Sequence, residues 1–99
     1  MEFEKKYVVM TDDGPAWKNV FLTWDPEYGY YTTVEYVDEV GEYDIHTSVE
    51  SAIARAKDAD SGTFGGWPYA MKVMEVLNFE DAMDGCPAEL EEVQVIDLD

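Results

Sequence analysis

Cysteine, histidine and basic side chains are all scarce in this chain, and each shortage closes off some chemistry. Cys86 is the one cysteine, so an internal disulfide and a cysteine zinc site are both excluded. Gly85-Cys86-Pro87 reads as a turn with no Cys-His pattern around it, so the thiol is taken as structural or incidental. His46 is the one histidine. It stands beside Asp44, which is expected to raise its pKa. No nucleophile lies near it in sequence, so it is expected to be a surface residue, not a general acid or base. Six Lys and Arg face 23 Asp and Glu, a net charge of −17. Phosphates would be repelled, which argues against direct nucleic-acid binding, and anionic membranes are disfavoured for the same reason. No apolar run approaches the ~20 residues of a membrane span. Met1–Met10 carries Glu2, Glu4, Lys5 and Lys6 and lacks an apolar signal core, so an intracellular, cytoplasmic protein is expected. There is no internal repeat and no low-complexity linker.

What the chain does contain is apolar bulk: 46% hydrophobic and 14% aromatic residues, enough to fold despite the charge. Its length suits one domain over residues 1–99. Thr47–Asp60 predicts an amphipathic helix, with Thr47 as cap and Glu50 at capping-box spacing. Val49, Ala52, Ile53, Ala56 and Ala59 share its apolar face, a narrow stripe suited to close approach to a sheet. Glu50, Ser51, Arg55, Lys57 and Asp58 mark the wet side. Gly62, Gly65 and Gly66 end it.

Strands are predicted at Phe3–Thr11, Trp17–Trp24, Tyr30–Val37, Ala70–Leu77 and Glu91–Leu98, with a short helix at Asn78–Met83 capped by Asn78. The continuous run Tyr7-Val8-Val9-Met10 marks a strand that is central or covered on both sides. Asp12–Pro15 is a turn by composition. Asp25–Gly29 closes a hairpin in which Trp24 is expected to face Tyr30, Leu22 to face Thr32 and Val20 to face Val34. That register puts Val20, Leu22 and Trp24 beneath the helix and Trp17, Phe21 and Tyr31 on the other side. The order β-β-β-α-β-(short α)-β predicts an α+β fold, a mainly antiparallel four- to five-stranded sheet with its main helix on one face.

Site chemistry is thin. Asp58-Ala59-Asp60-Ser61-Gly62 begins like a calcium loop, but Gly62, Thr63 and Tyr69 stand where an acid, the glycine and the closing glutamate belong. Gly62–Gly66 lacks the lysine of a phosphate loop and reads as a flexible connector presenting Phe64 and Trp67. No catalytic residue, metal site or cofactor is therefore expected. Two features remain: an acidic rim of Asp25, Glu27, Asp38, Glu39, Glu42 and Asp44, and the aromatic trio Trp17, Phe21 and Tyr31. Aromatic anchors beside steering charge suit a protein-contact surface. The competing reading has this face covered by the carboxyl-terminal strand and short helix.

Tyr7–Met10 before a hairpin, Thr47–Ala52 opening a helix and Met71–Val76 as return strand resemble the small acidic proteins of phages and mobile elements, over Tyr7–Leu77. Anti-CRISPR proteins and other DNA-mimic inhibitors are among them. The resemblance implies a non-enzymatic, phage-encoded inhibitor that occupies the basic nucleic-acid channel of a bacterial defence enzyme. Carboxylates would take phosphate positions there as charge-assisted hydrogen bonds. Alternate strand residues, ~6.6–6.8 Å apart, lie near twice the ~3.4 Å nucleotide rise. No functional residue is carried over from that group. The alternative is a small structural or interaction domain, homodimeric through a strand edge, whose acidity serves solubility or salt adaptation.

Overall fold

The computed structural model describes residues 4–11, 20–67 and 69–97. Five strands, β1 (Tyr7–Thr11), β2 (Val20–Asp25), β3 (Tyr30–Val34), β4 (Met71–Val76) and β5 (Leu90–Ile96), form one sheet in the order β3-β2-β1-β4-β5. Every pairing is antiparallel. The main helix α1 (Val49–Ser61) and the short helix α2 (Phe79–Met83) complete the expected α+β order. The Asp12–Pro15 turn, Trp17, Phe3 and Leu98 lie outside the described residues.

β1 is central, as its unbroken apolar run demands. Val8 and Met10 point into one core layer and Val9 into the other, all three buried. On one face, Ala52, Ala56 and Ala59 bring α1 down onto Val9, Leu22, Met71, Val73 and Ile96. Methyl side chains let the helix backbone sit close, so the narrow alanine stripe is what the packing requires. The other face is covered by two 3₁₀ turns, Val37–Glu39 and Glu42–Asp44, and by α2. Val37, Val40 and Ala82 close there over Val8, Phe21, Met74 and Val76.

Three local expectations are corrected. The helix cap is Ser48, not Thr47: its side chain accepts from the Ser51 amide at 3.1 Å. Asn78 occupies the cap position of α2 without capping it. Its amide instead donates to the Pro87 carbonyl and accepts from the Glu89 amide, pinning the following loop. The hairpin register is shifted by one, so that Asp25 pairs with Tyr30, Trp24 with Tyr31 and Leu22 with Thr33. The cause lies in the turn. Asp25 accepts the Glu27 and Tyr28 amides on its carboxylate and the Gly29 amide on its carbonyl, and Gly29 takes φ +72°. Four residues, not five, then bridge the strands. A one-residue slip exchanges the faces of β3, so Tyr31 comes to the α1 side.

Among the described residues β1 and β2 pair only at Met10–Phe21 and Thr11–Val20. Beyond that point they splay, and the segment Asp44–His46 fills the wedge. His46 exchanges two backbone hydrogen bonds with Tyr7, both 2.8 Å. On the β2 side the Asp44 carboxylate accepts the Trp24 amide at 2.8 Å. A backbone donor left without a strand neighbour is thereby satisfied.

Candidate functional site

The nine residues singled out from the sequence do not form one surface. Asp38 and Glu39, on the first 3₁₀ turn, and Glu42, opening the second, are exposed, as is Glu27 at the hairpin tip. Asp25 is half-buried and organises its own turn. Asp44 belongs to the interior: 2% exposed, it cannot serve as rim charge. Phe21, also 2% exposed, is core beneath the 3₁₀ turns and α2; the short helix covers this face as the competing reading expected, but the carboxyl-terminal strand does not, because β5 is built into the sheet edge beside β4. Tyr31 lies on the opposite face of the sheet, packed beside α1. Trp17 lies outside the described residues.

Asp44 is the hub of a polar network. Its carboxylate accepts from the Thr23 hydroxyl at 3.2 Å, the Trp24 amide at 2.8 Å and Arg55 Nε at 2.7 Å. Thr23 in turn accepts the Gly41 amide. Arg55, read as a wet-side residue, is half-buried and is the chain's only arginine. Its guanidinium lies over the Tyr31 ring, 4.9 Å from the centroid, and the Tyr31 hydroxyl donates to Asp58 at 2.6 Å. Burial works against the Arg55 charge, but the hydrogen bond and field of Asp44 outweigh it and hold the guanidinium charged. Burial first, and then the bond to the Asp58 carboxylate, push the Tyr31 phenol above its ordinary pKa, so it stays a neutral donor. The network ties β2, β3, the second 3₁₀ turn and α1 together. No local spacing announces it; a lone arginine flanking an alanine stripe was the one available signal.

His46 is buried, not on the surface. Desolvation lowers its pKa, Asp44 pushes back upward, Arg55 lowers it again, and the result is a value below 6.5. The expected rise from Asp44 therefore loses to burial. Its Nδ1 lies 2.9 Å from Ser51 Oγ, while Nε2 is buried without a hydrogen-bond partner among the described residues. A serine–histidine hydrolase needs an orienting group on the second ring nitrogen. Here that nitrogen faces none among the described residues, and the geometry is that of a packed histidine. Cys86 is exposed on its turn.

Two surfaces remain outside this interior network. The first is acidic. The first 3₁₀ turn packs against α2, and Asp38 and Glu39 on the one and Glu80 and Asp81 on the other are all exposed. Asp84, just past α2, and Glu42, opening the second 3₁₀ turn, are exposed as well. Residues 19–54 and 73–99 contain no Lys or Arg. Two basic side chains, Lys5 and Lys6, share a hollow with Glu80 and Asp81: Lys6 lies near the Phe79 ring and pairs with Glu4, and Lys5 pairs with Glu75. The exposed acids therefore stand on turns and a helix end, not at the alternate strand positions that a nucleotide-like spacing would use.

The second surface is aromatic, a groove of about 390 Å³ between β3 and the exit of α1. That exit is no slack connector. Thr63 Oγ1 donates to Ala59 O, the Trp67 amide donates to Asp60 at 2.7 Å, and Trp67 Nε1 donates to Thr11 at 2.8 Å. Phe64 is fully presented to solvent, whereas Trp67 is half-buried against the α1 core.

The fold thus defines a class: an antiparallel α+β sheet covered by a helix on one side and by an acidic layer of short turns on the other. No family model, no curated protein and no solved structure matches the chain. Among the described residues no helix is long and apolar enough to cross a membrane.

Proposed function

We propose that this chain is a non-enzymatic binder of a basic protein surface, acting as an inhibitor of a nucleic-acid enzyme in the manner of a DNA mimic. The observation that carries this reading is the acidic layer. Two stretches far apart in sequence, around Asp38–Glu42 and Glu80–Asp84, are folded onto one side of the sheet, and neither contains a basic residue. A stability-driven surface would intersperse the two signs of charge. A field dominated by one sign, with Lys5 and Lys6 at its α2 margin, costs self-repulsion and favours encounter with an oppositely charged groove. A channel that binds phosphates presents such a groove of Lys and Arg.

The test is affinity capture from a bacterial lysate at low salt, with the triple variant Asp38→Asn, Glu39→Gln, Glu42→Gln run in parallel. The expected result is one nucleic-acid enzyme, eluted by rising salt, displaced by duplex DNA and lost from the variant. Equal capture by both proteins, or a catch indifferent to DNA, would refute the mimic.

A further inference from the structure

We propose that the free edge of β3 and the aromatic groove beside it form a docking strip for an extended, arginine- or lysine-bearing segment of a partner protein. Tyr30, Tyr31, Thr32 and Thr33 all line the groove, facing Thr63 and Trp67. Successive strand side chains point to opposite faces. A hollow on one face would therefore meet every second residue, whereas one lined by four in a row runs along the strand's edge. β3 ends the sheet order, so its outward amides and carbonyls have no neighbouring strand among the described residues. An extended peptide adds to such an edge through its backbone and places alternate side chains in flanking pockets.

The two edges of the sheet are not treated alike. β5 carries Glu91 and Glu92 and is broken by a bulge at Val93, devices that discourage strand addition. Tyr30–Val34 has no charge, no proline and no bulge, and among the described residues its shortness is its one such protection.

Charge identifies the occupant. Asp58 and Asp60 stand in the last turn of α1, where no basic residue is present. Carboxylates at the negative end of the helix dipole are unfavourable in the free chain and become favourable when a cation sits beside them. Asp25 and Glu35 bracket β3 at its two ends. The nearby Arg55 is already committed to Asp44. Its stacking on Tyr31 shows that a guanidinium fits a ring of this cluster, and the exposed Tyr30 and Tyr69 offer further faces. A second copy of the chain would bring two charges of −17 together, which opposes β3-to-β3 pairing. The strip gives a basic partner a backbone-reading site, and rests on the proposed function only for the sign of that partner's charge.

The probe is a fluorescein-labelled peptide of alternating valine and arginine, about eight residues long so as to span β3 at ~3.3 Å per residue. A control peptide has proline at alternate positions. Anisotropy should show salt-sensitive binding of the first peptide alone, with amide shifts confined to residues 30–34 and 58–69. The Tyr30→Ala, Tyr69→Ala variant, checked for folding by circular dichroism, should bind roughly tenfold more weakly. The triple acid variant should bind within about twofold of wild type, since its charges lie across the sheet. Equal binding of the proline control would overturn the strip, because backbone pairing is then not used. Loss in the triple acid variant but not in the tyrosine variant would also overturn it, while leaving the acidic-layer reading intact. A dimeric mass that falls to monomer in Thr32→Pro would assign the edge to self-association and overturn it too. Conversely, peptide binding as expected beside unchanged lysate capture by the triple variant would support the strip and sink the acidic-layer mimic.

Discussion

Removing the Asp44 carboxylate is the most demanding test of this fold, because one side chain serves several elements at once. In Asp44→Ala the Trp24 amide and the Thr23 hydroxyl lose their acceptor and Arg55 loses its counter-charge. A buried amide left without a partner costs about 1–3 kcal/mol. Breaking a fully buried ion pair costs about 3–5 kcal/mol, but the Arg55 side chain is 28% exposed and water can reach it, so only part of that applies. The sum is about 3–4 kcal/mol, a large share of the ~5–15 kcal/mol that holds a typical domain together. With m of ~1–3 kcal/mol/M, the urea midpoint should fall by roughly 1–4 M, followed by tryptophan fluorescence and far-UV circular dichroism. Arg55→Ala should cost less, about 1–2 kcal/mol, because Asp44 keeps its other two donors. The double variant should be less damaging than the sum of the singles, by about 1–3 kcal/mol. A loss under ~1 kcal/mol for Asp44→Ala, the level of an exposed pair, or strict additivity in the cycle, would refute the hub.

Ser48→Ala should destabilise α1 by about 1 kcal/mol while Thr47→Ala changes stability by a few tenths at most, measured by thermal unfolding; the reverse order would restore Thr47 as the cap. His46 is held neutral in the fold with a pKa below 6.5, so the unfolded chain takes up its proton first. Its contribution is therefore complete above about pH 6.5 and declines as the pH falls below that value. Wild type should lose more Tm than His46→Asn between pH 7 and pH 5, and parallel slopes would show that the ring carries no such linkage. Gly29→Ala meets no atom within 4 Å, so its cost of about 1–2 kcal/mol is purely that of the positive φ. An unchanged urea midpoint would mean that the turn relaxes out of that conformation.

Periodicity carried the architecture. The unbroken Tyr7–Met10 run marked the central strand, and the three- and four-residue spacing of the helix alanines marked the face that meets the sheet. What escaped is what depends on distance in sequence. The hairpin register turned on which atoms Asp25 uses inside its own turn, a choice that composition does not reveal. The identities of Asp44 and His46 as interior residues follow from the splay between β1 and β2, and no local pattern signals a splay. A polar residue beside a turn reads as exposed until the strand that lacks a neighbour is seen. The acidic layer was half visible: Asp38, Glu39 and Glu42 stood out, but that Glu80 and Asp81 share their side of the sheet required α2 to be folded onto the first 3₁₀ turn.

The bulge in β5 bears on how this chain can change length. Glu92 pairs with Met74 and Gln94 with Val73, so Val93 is a supernumerary residue that no position on β4 matches. Around it the strand changes allegiance: Leu90 belongs to the layer under α2 and the 3₁₀ turns, Ile96 to the layer under α1. Deleting Val93 would leave every other pairing of the ladder as it stands. Inserting one residue between Gln94 and Ile96 would turn Ile96 outward and empty its place beside Met71. Shortening is thus the tolerated direction at this edge and lengthening is not, the opposite of what surface loops usually permit.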